Sequence, residues 1–137
     1  MEQANVNSNP SRFASGSIRV LVVDDDANTC QYLCELLREA GCDATAVASG
    51  EEAIQRYGSE CYSLVIMDII MPGKNGVEAI MDIRRSFPQA RFIAITGRPG
   101  PEGIDMLNDA RKMGAQRVLR KPFTPDELLY AMAEALG

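Results

Sequence analysis

The 137 residues include no histidine and no tryptophan. Without an imidazole the chain cannot supply a His general base, a Ser-His-Asp or Cys-His nucleophile system, or a phosphohistidine of its own. If phosphate chemistry occurs here, another molecule brings the phosphoryl group. The four cysteines, Cys30, Cys34, Cys42 and Cys61, form no CxxC pair, and no His stands by to complete a zinc ligand set. Basic residues are outnumbered, 14 Lys and Arg against 19 Asp and Glu for a net charge of −5, and they form no block. Direct nucleic-acid binding needs a positive footprint and is disfavoured. No apolar run approaches the ~18 to 20 residues that span a bilayer, and the N-terminus has no apolar segment able to act as a secretory signal. The expectation is a cytoplasmic protein with reduced thiols. Its cysteines then serve as small, semi-buried residues, Cys30 and Cys34 four apart on one helix.

What is present is a regular alternation of short apolar runs and amphipathic segments. Residues 1–16, rich in Asn and Ser, read as a disordered leader, and residues 17–137 as one folded domain. Strands are expected over 18–24, 43–49, 62–68, 91–97 and 117–123. They are rich in Val and Ile, and several are almost continuously apolar, as strands buried on both faces would be. Helices are expected over 28–41, 50–60, 75–87, 101–115 and 124–137. In the first, Leu33, Leu36 and Leu37 form the inward stripe and Gly41 the stop. The last opens on Thr124 with Pro125 at the first helical position and Glu127 three residues on, a capping box. Five β-α units in this length predict an α/β fold: a doubly wound, five-stranded parallel sheet, flavodoxin-like, with five helices on its two faces.

The polar residues that could carry chemistry fall at strand ends. Asp24, Asp25 and Asp26 end the first strand, Asp68 the third and Thr96 the fourth, while Lys121 precedes Pro122 in the fifth. Ligands of doubly wound sheets bind beyond the carboxyl ends of the strands, where the strand order reverses. In the order 2-1-3-4-5, strands one and three are neighbours, which brings Asp24 and Asp25 to Asp68 although they are more than forty residues apart. Clustered carboxylates need compensating charge, and the two sources are Lys121 and a divalent cation. An oxygen-only ligand set suits Mg²⁺. The Thr96 hydroxyl and the Lys121 ammonium are donors suited to a phosphoryl group. Each residue also has a plainer role: Asp26 as a helix cap, Thr96 as a strand former, Lys121 as a surface charge. Their joint occurrence at successive strand ends favours phosphoryl transfer onto a carboxylate.

On these residues the sequence resembles the receiver domain of two-component response regulators, of the chemotaxis-regulator kind. The motifs are VLVVDDD (20–26), LVIMDIIMPGKNG (64–76), IAITG (93–97) and GAQRVLRKPF (114–123). The resemblance implies that Asp68 is the phosphoacceptor. It implies that Asp24, Asp25, Asp68 and the main-chain carbonyl of Ile70 surround Mg²⁺, and that Thr96 is the switch hydroxyl and Lys121 its partner. It implies a cis bond before Pro122. The donor is then a histidine kinase, a histidine phosphotransfer protein or a small phosphodonor. The chain is not an enzyme acting on external substrates, but a signalling domain that catalyses its own phosphorylation and hydrolysis.

The sequence departs from the family pattern in places. The turn after Asp68 reads MPGKNG, with Lys74 and Asn75, where MPxMDG is common; Asn75 still suits a helix cap. Val118 stands where the family usually has an aromatic switch residue. Ile70 and Arg98 occupy the two positions near an attacking water, and Ile70, unable to orient water, implies slow autodephosphorylation. In the last helix Leu128 and Met132 are expected inside. Leu129, Ala133 and Leu136 form a second stripe, read as a docking or dimerisation surface built from the fourth helix, fifth strand and fifth helix. Ending on that helix, the chain is expected to act as a stand-alone receiver through protein contacts. Two other readings remain: a pseudo-receiver serving as a constitutive interaction module, and a small phosphatase working through an aspartyl phosphate. The latter usually carries a second Asp at the position held here by Ile70.

Overall fold

The computed structural model describes residues 18–137; the expected leader, residues 1–16, lies outside the described residues. Five parallel strands, β1 (Arg19–Val23), β2 (Asp43–Val47), β3 (Leu64–Asp68), β4 (Phe92–Thr96) and β5 (Arg117–Arg120), form one sheet in the order β2-β1-β3-β4-β5. The helices α1 (Ala27–Glu39), α2 (Gly50–Ser59), α3 (Gly76–Ser86), α4 (Gly100–Lys112) and α5 (Pro125–Leu136) alternate with them. This is the doubly wound α/β architecture expected above.

The apolar runs resolve into two cores through the two-residue period of a strand. Val20, Val22, Leu64, Ile66, Ile93 and Ile95 face α1 and α5, packing with Leu33, Leu37, Leu128 and Met132. Their neighbours Leu21, Val23, Val65, Met67, Phe92 and Ala94 face the other side with Ala79, Ile80, Ile83 and Leu107. Most of these side chains are fully buried, each worth about 1.5–3 kcal/mol of transfer free energy.

Helix ends follow local chemistry. Asp26 caps α1 by accepting from Asn28 N–H, and α1 runs into Gly41 at φ 96°. Asn75 and Glu78 form a capping box at α3, and Thr124 and Glu127 another at α5. Helix α4 stops at Lys112, short of the expected 115, because Gly114 turns the chain at φ 124°. Strand β5 stops at Arg120 rather than 123, since Pro122 has no N–H for the ladder. The Lys121–Pro122 bond is cis, as the resemblance implied.

Helix α5 corrects one expectation. Leu129 is 9% exposed and belongs to the core with α1. Leu136 is partly buried against the same core, so Leu129, Ala133 and Leu136 do not make an outward stripe. The apolar arc of α5 is wide because Leu128, Leu129, Ala131, Met132 and Ala135 all pack inward. Its exposed aromatic is instead Tyr130, 60% accessible. Among the described residues no helix is long and apolar enough to cross a membrane.

Candidate functional site

The sheet order makes the site. The last paired residues of β1 and β3 are Val23 and Met67, so the chain positions that follow, Asp24 and Asp68, emerge side by side at the reversal point. Thr96 pairs with Arg120 on the same edge, which places Lys121 one step beyond. Asp24, Asp25 and Asp68 each offer a carboxylate oxygen within 4.8 Å of the others. Asp24 and Asp68 are buried while Asp25 is exposed. Lys121 reaches in from the edge, its Nζ 2.8 Å from Asp24 Oδ2 and 3.4 Å from Asp68 Oδ2.

The remaining carboxylate oxygens are held by backbone. Asp26 N–H donates to Asp24 Oδ1 at 3.0 Å, and Ile70 N–H to Asp68 Oδ1 at 3.1 Å. Cys30 donates its thiol to the Asp24 carbonyl at 3.1 Å. Its own proton is held firmly, because burial and then the Asp24 charge push the thiol up to about 11. It is a support for the Asp24 main chain, not a nucleophile. Cys34 and Cys42 are buried as expected, whereas Cys61 is exposed.

Burial, and then the charge of Asp24, raise the Asp68 carboxyl to about 6, against the opposing pull of the Ile70 amide and Lys121. For Lys121 burial disfavours the charge, yet the bond to Asp24 and the attraction of both carboxylates outweigh it and the ammonium is strengthened. Three carboxylates and one ammonium leave a formal excess of two negative charges in a donor set made only of oxygens. That excess and that chemistry fit a hard divalent cation such as Mg²⁺.

The cluster opens into a cavity of about 340 Å³ lined by Asp24, Asp25, Asp26, Asp68, Ile70, Lys121 and the turn from Gly97 to Pro99. Thr96 is fully buried behind that turn, where its Oγ1 accepts from Arg98 N–H at 3.1 Å. Ile70 is half-buried at the rim. Two features frame the floor. At Gly76 a Cβ would lie 2.5 Å from the Asp68 carbonyl oxygen and 2.5 Å from Ile69 Cα, so α3 can begin this close to Asp68 only on glycine. Lys74, the departure in the turn, bonds Asp82 of α3 at 2.6 Å and ties the turn down.

Several neighbours of the site were not singled out as site residues by the sequence. Asn28, Thr29, Tyr32 and Leu33 of α1, with Pro122 and Phe123, border a more apolar hollow of about 440 Å³ that shares Lys121 with the acidic cavity. Tyr32 is 47% exposed there. An exposed aromatic at a helical position was its one available signal.

A family model of the response regulator receiver domain matches residues 20–133. The chain belongs to this family of two-component signalling domains. Over 115 residues it is 35% identical to the chemotaxis protein CheY of Thermotoga maritima, covering 83% of this chain and 93% of that protein. It is 37% identical to the transcription factor SKN7 of Candida albicans over 85% of this chain, which spans only 20% of that longer protein. Among solved structures, the CheX–CheY–BeF3–Mg²⁺ complex from Borrelia burgdorferi superposes with TM-score 0.79 and 27% identity, over 88% of this chain and 90% of that one.

Proposed function

We propose that the chain is a phosphoacceptor, taking a phosphoryl group on Asp68 from a phosphohistidine of a histidine kinase or phosphotransfer protein in an Mg²⁺-dependent reaction. The observation that carries this reading is a buried Asp68 carboxylate held between Asp24, Asp25 and Lys121 at the mouth of an open cavity. In the reaction an Asp68 oxygen forms the new bond to phosphorus while the bond from phosphorus to the imidazole nitrogen of the donor breaks. The electron pair leaves with the imidazole, which takes a proton. Asp24, Asp25, Asp68 and the Ile70 carbonyl would hold the cation, which supplies positive charge to the phosphoryl oxygens.

Lys121, anchored on Asp24, keeps an ammonium beside Asp68 and can donate to a phosphoryl oxygen. Thr96 then offers its hydroxyl as the switch donor. Ile70 presents hydrocarbon at the rim and no group to orient water, which favours a long-lived phosphoryl group. A CheY relative trapped with beryllium fluoride and Mg²⁺ in the Borrelia complex is consistent with this chemistry. The apolar hollow beside Lys121 suits the protein donor, and the surface of α4, β5 and α5, with Ile104 and Tyr130 exposed, suits a downstream protein or a second copy.

The test is incubation with acetyl phosphate and Mg²⁺, read by intact mass, with Asp68→Asn as control. One phosphoryl group on the wild type and none on the variant is expected. No phosphorylation of the wild type would overturn the reading in favour of a constitutive interaction module, for which Val118 in the switch position is the supporting feature. A Tyr32→Glu variant should lose transfer from a phosphohistidine protein while keeping its rate with acetyl phosphate; loss of both would refute the docking assignment.

A further inference from the structure

With Val118 in place of an aromatic switch, another connection must couple Thr96 to the outer surface. Val118 pairs with Ala94 and packs its small side chain against the core under α4. The structure offers a different link, through the main chain of Arg98. Its N–H donates to Thr96 Oγ1 at 3.1 Å. Its carbonyl accepts from the Arg120 guanidinium (Nη2) at 3.0 Å. The same carbonyl packs against Gly103 so closely that a Cβ there would collide with it. The Arg98 side chain, finally, bonds Glu102 in the first turn of α4 at 2.7 Å. One residue thus joins the Thr96 hydroxyl to β5 on one side and to the start of α4 on the other.

Thr96 does not line the acidic cavity in this arrangement; Gly97, Arg98 and Pro99 do. Thr96 lies behind the lining, so to reach a phosphoryl group on Asp68 its Oγ1 has to move toward the cavity, and that movement draws it away from the Arg98 amide. The Arg98 main chain then keeps only the hydrogen bond from Arg120, which with the Glu102 ion pair and the packing on Gly103 resists its displacement.

We infer that Arg120 is a positioning residue that clamps the Arg98 carbonyl, holding the β4–α4 turn and the Thr96 hydroxyl in the unphosphorylated arrangement. Arg120 does not itself line the cavity and makes no bond to Asp68; it reaches the switch through the carbonyl of Arg98, a lining residue. The inference rests on the phosphoacceptor reading of Asp68 and adds the element that sets its resting state.

Two measurements on Arg120→Ala, Arg120→Lys and Arg117→Ala test it. Arg117, on the same strand, bonds Glu134 instead, so its loss changes the charge equally without touching the clamp. Without phosphodonor, amide hydrogen exchange at Arg98, Gly103 and Ile104 should quicken about three- to five-fold in Arg120→Ala, the loss of one exposed charge-assisted bond. It should stay at the wild-type rate in Arg117→Ala and largely recover in Arg120→Lys. With acetyl phosphate and Mg²⁺, Arg120→Ala should be phosphorylated about three- to five-fold faster than the wild type and the two controls.

A residue that merely attracts the anionic donor would give the opposite sign, slower phosphorylation, and that result overturns the clamp. Unchanged exchange overturns it too, whatever the phosphorylation rates. A wild type that takes no phosphoryl group refutes the Asp68 reading and the coupling together. Phosphorylation of wild type and Arg120→Ala at one rate refutes the clamp alone.

Discussion

Asp68→Asn abolishes the proposed phosphoacceptor, yet in metal-free protein it should make the fold more stable at neutral pH. Burial and the neighbouring Asp24 move the Asp68 carboxyl from 3.8 up to about 6. Between those values the folded chain keeps a proton that the unfolded chain has released. The associated stability is therefore present below the lower value and is lost as pH rises through the upper one. At about 1.4 kcal/mol for each pKa decade, the span from 3.8 to about 6 puts a ceiling of about 3 kcal/mol on the cost of the charge. Screening through the open cavity reduces the working figure to about 2 kcal/mol.

An asparagine of the same shape can still accept from Ile70 N–H, and Lys121 keeps its shorter bond, 2.8 Å to Asp24. Urea unfolding in EDTA near neutral pH should therefore find Asp68→Asn more stable by about 2 kcal/mol. The gap should close on acidification toward pH ~4. Saturating Mg²⁺ should narrow or reverse it, because the cation binds the intact cluster more tightly and stabilises by mass action. A variant no more stable than wild type in EDTA at neutral pH, or a gap indifferent to acid, would refute the claim that Asp68 bears a burial cost.

The remaining predictions concern the frame of the site. Leu129→Glu should cost more than ~3 kcal/mol and lower the melting temperature sharply, because it buries a charge in the core. Tyr130→Glu should stay within ~0.5 kcal/mol of wild type; equal effects would contradict the burial of Leu129. Gly76→Ala should cost roughly 1–3 kcal/mol, since its methyl group meets the Asp68 and Ile69 backbone, and should slow phosphorylation by acetyl phosphate; a neutral result would mean that α3 can draw back. Ile70→Asn should shorten the lifetime of the phosphorylated protein about ten-fold by giving a water an anchor, measured as loss of the added mass over time. An unchanged or longer lifetime would remove Ile70 from the proposed shielding role.

Much of the fold was legible because its signals are local. The alternation along VLVV and LVIM sorts residues into two cores by a period that needs only the strand to exist. Asp26, Asn75 and Thr124 announce helix starts through bonds to residues two or three positions away. The site residues were legible for a related reason. A carboxylate at the end of an apolar strand falls at the carboxyl edge of the sheet, and two such strand ends together with Thr96 and Lys121 leave little freedom once the strand order is assumed. Helix α5 was misread because its buried arc spans more than one stripe. Periodicity cannot say whether Leu129 or Tyr130 faces out when the helix sits deep against both the sheet and α1. The ties of Arg120 to Arg98, Lys74 to Asp82 and Cys30 to Asp24 carried no signal either. Each joins a side chain to whatever the tertiary fold brings near, and no spacing encodes that.

The charge balance of the site belongs to this second kind of information, and it connects stability to function. Two buried carboxylates facing one half-buried lysine are poorly compensated in the metal-free fold, and the backbone amides of Asp26 and Ile70 offset only part of the deficit. A structure selected for stability alone would protonate, remove or fully pair Asp68. This one keeps it beside Asp24 and at 3.4 Å from Lys121, leaving two uncompensated charges at an open cavity. Burial first, and then that excess, raise the Asp68 pKa; the excess is what a divalent cation would neutralise and what a phosphoryl group, bound with that cation, would rebalance. If Asp68→Asn proves the more stable protein without metal and the less stable one with it, that exchange of cost for binding will have been measured directly.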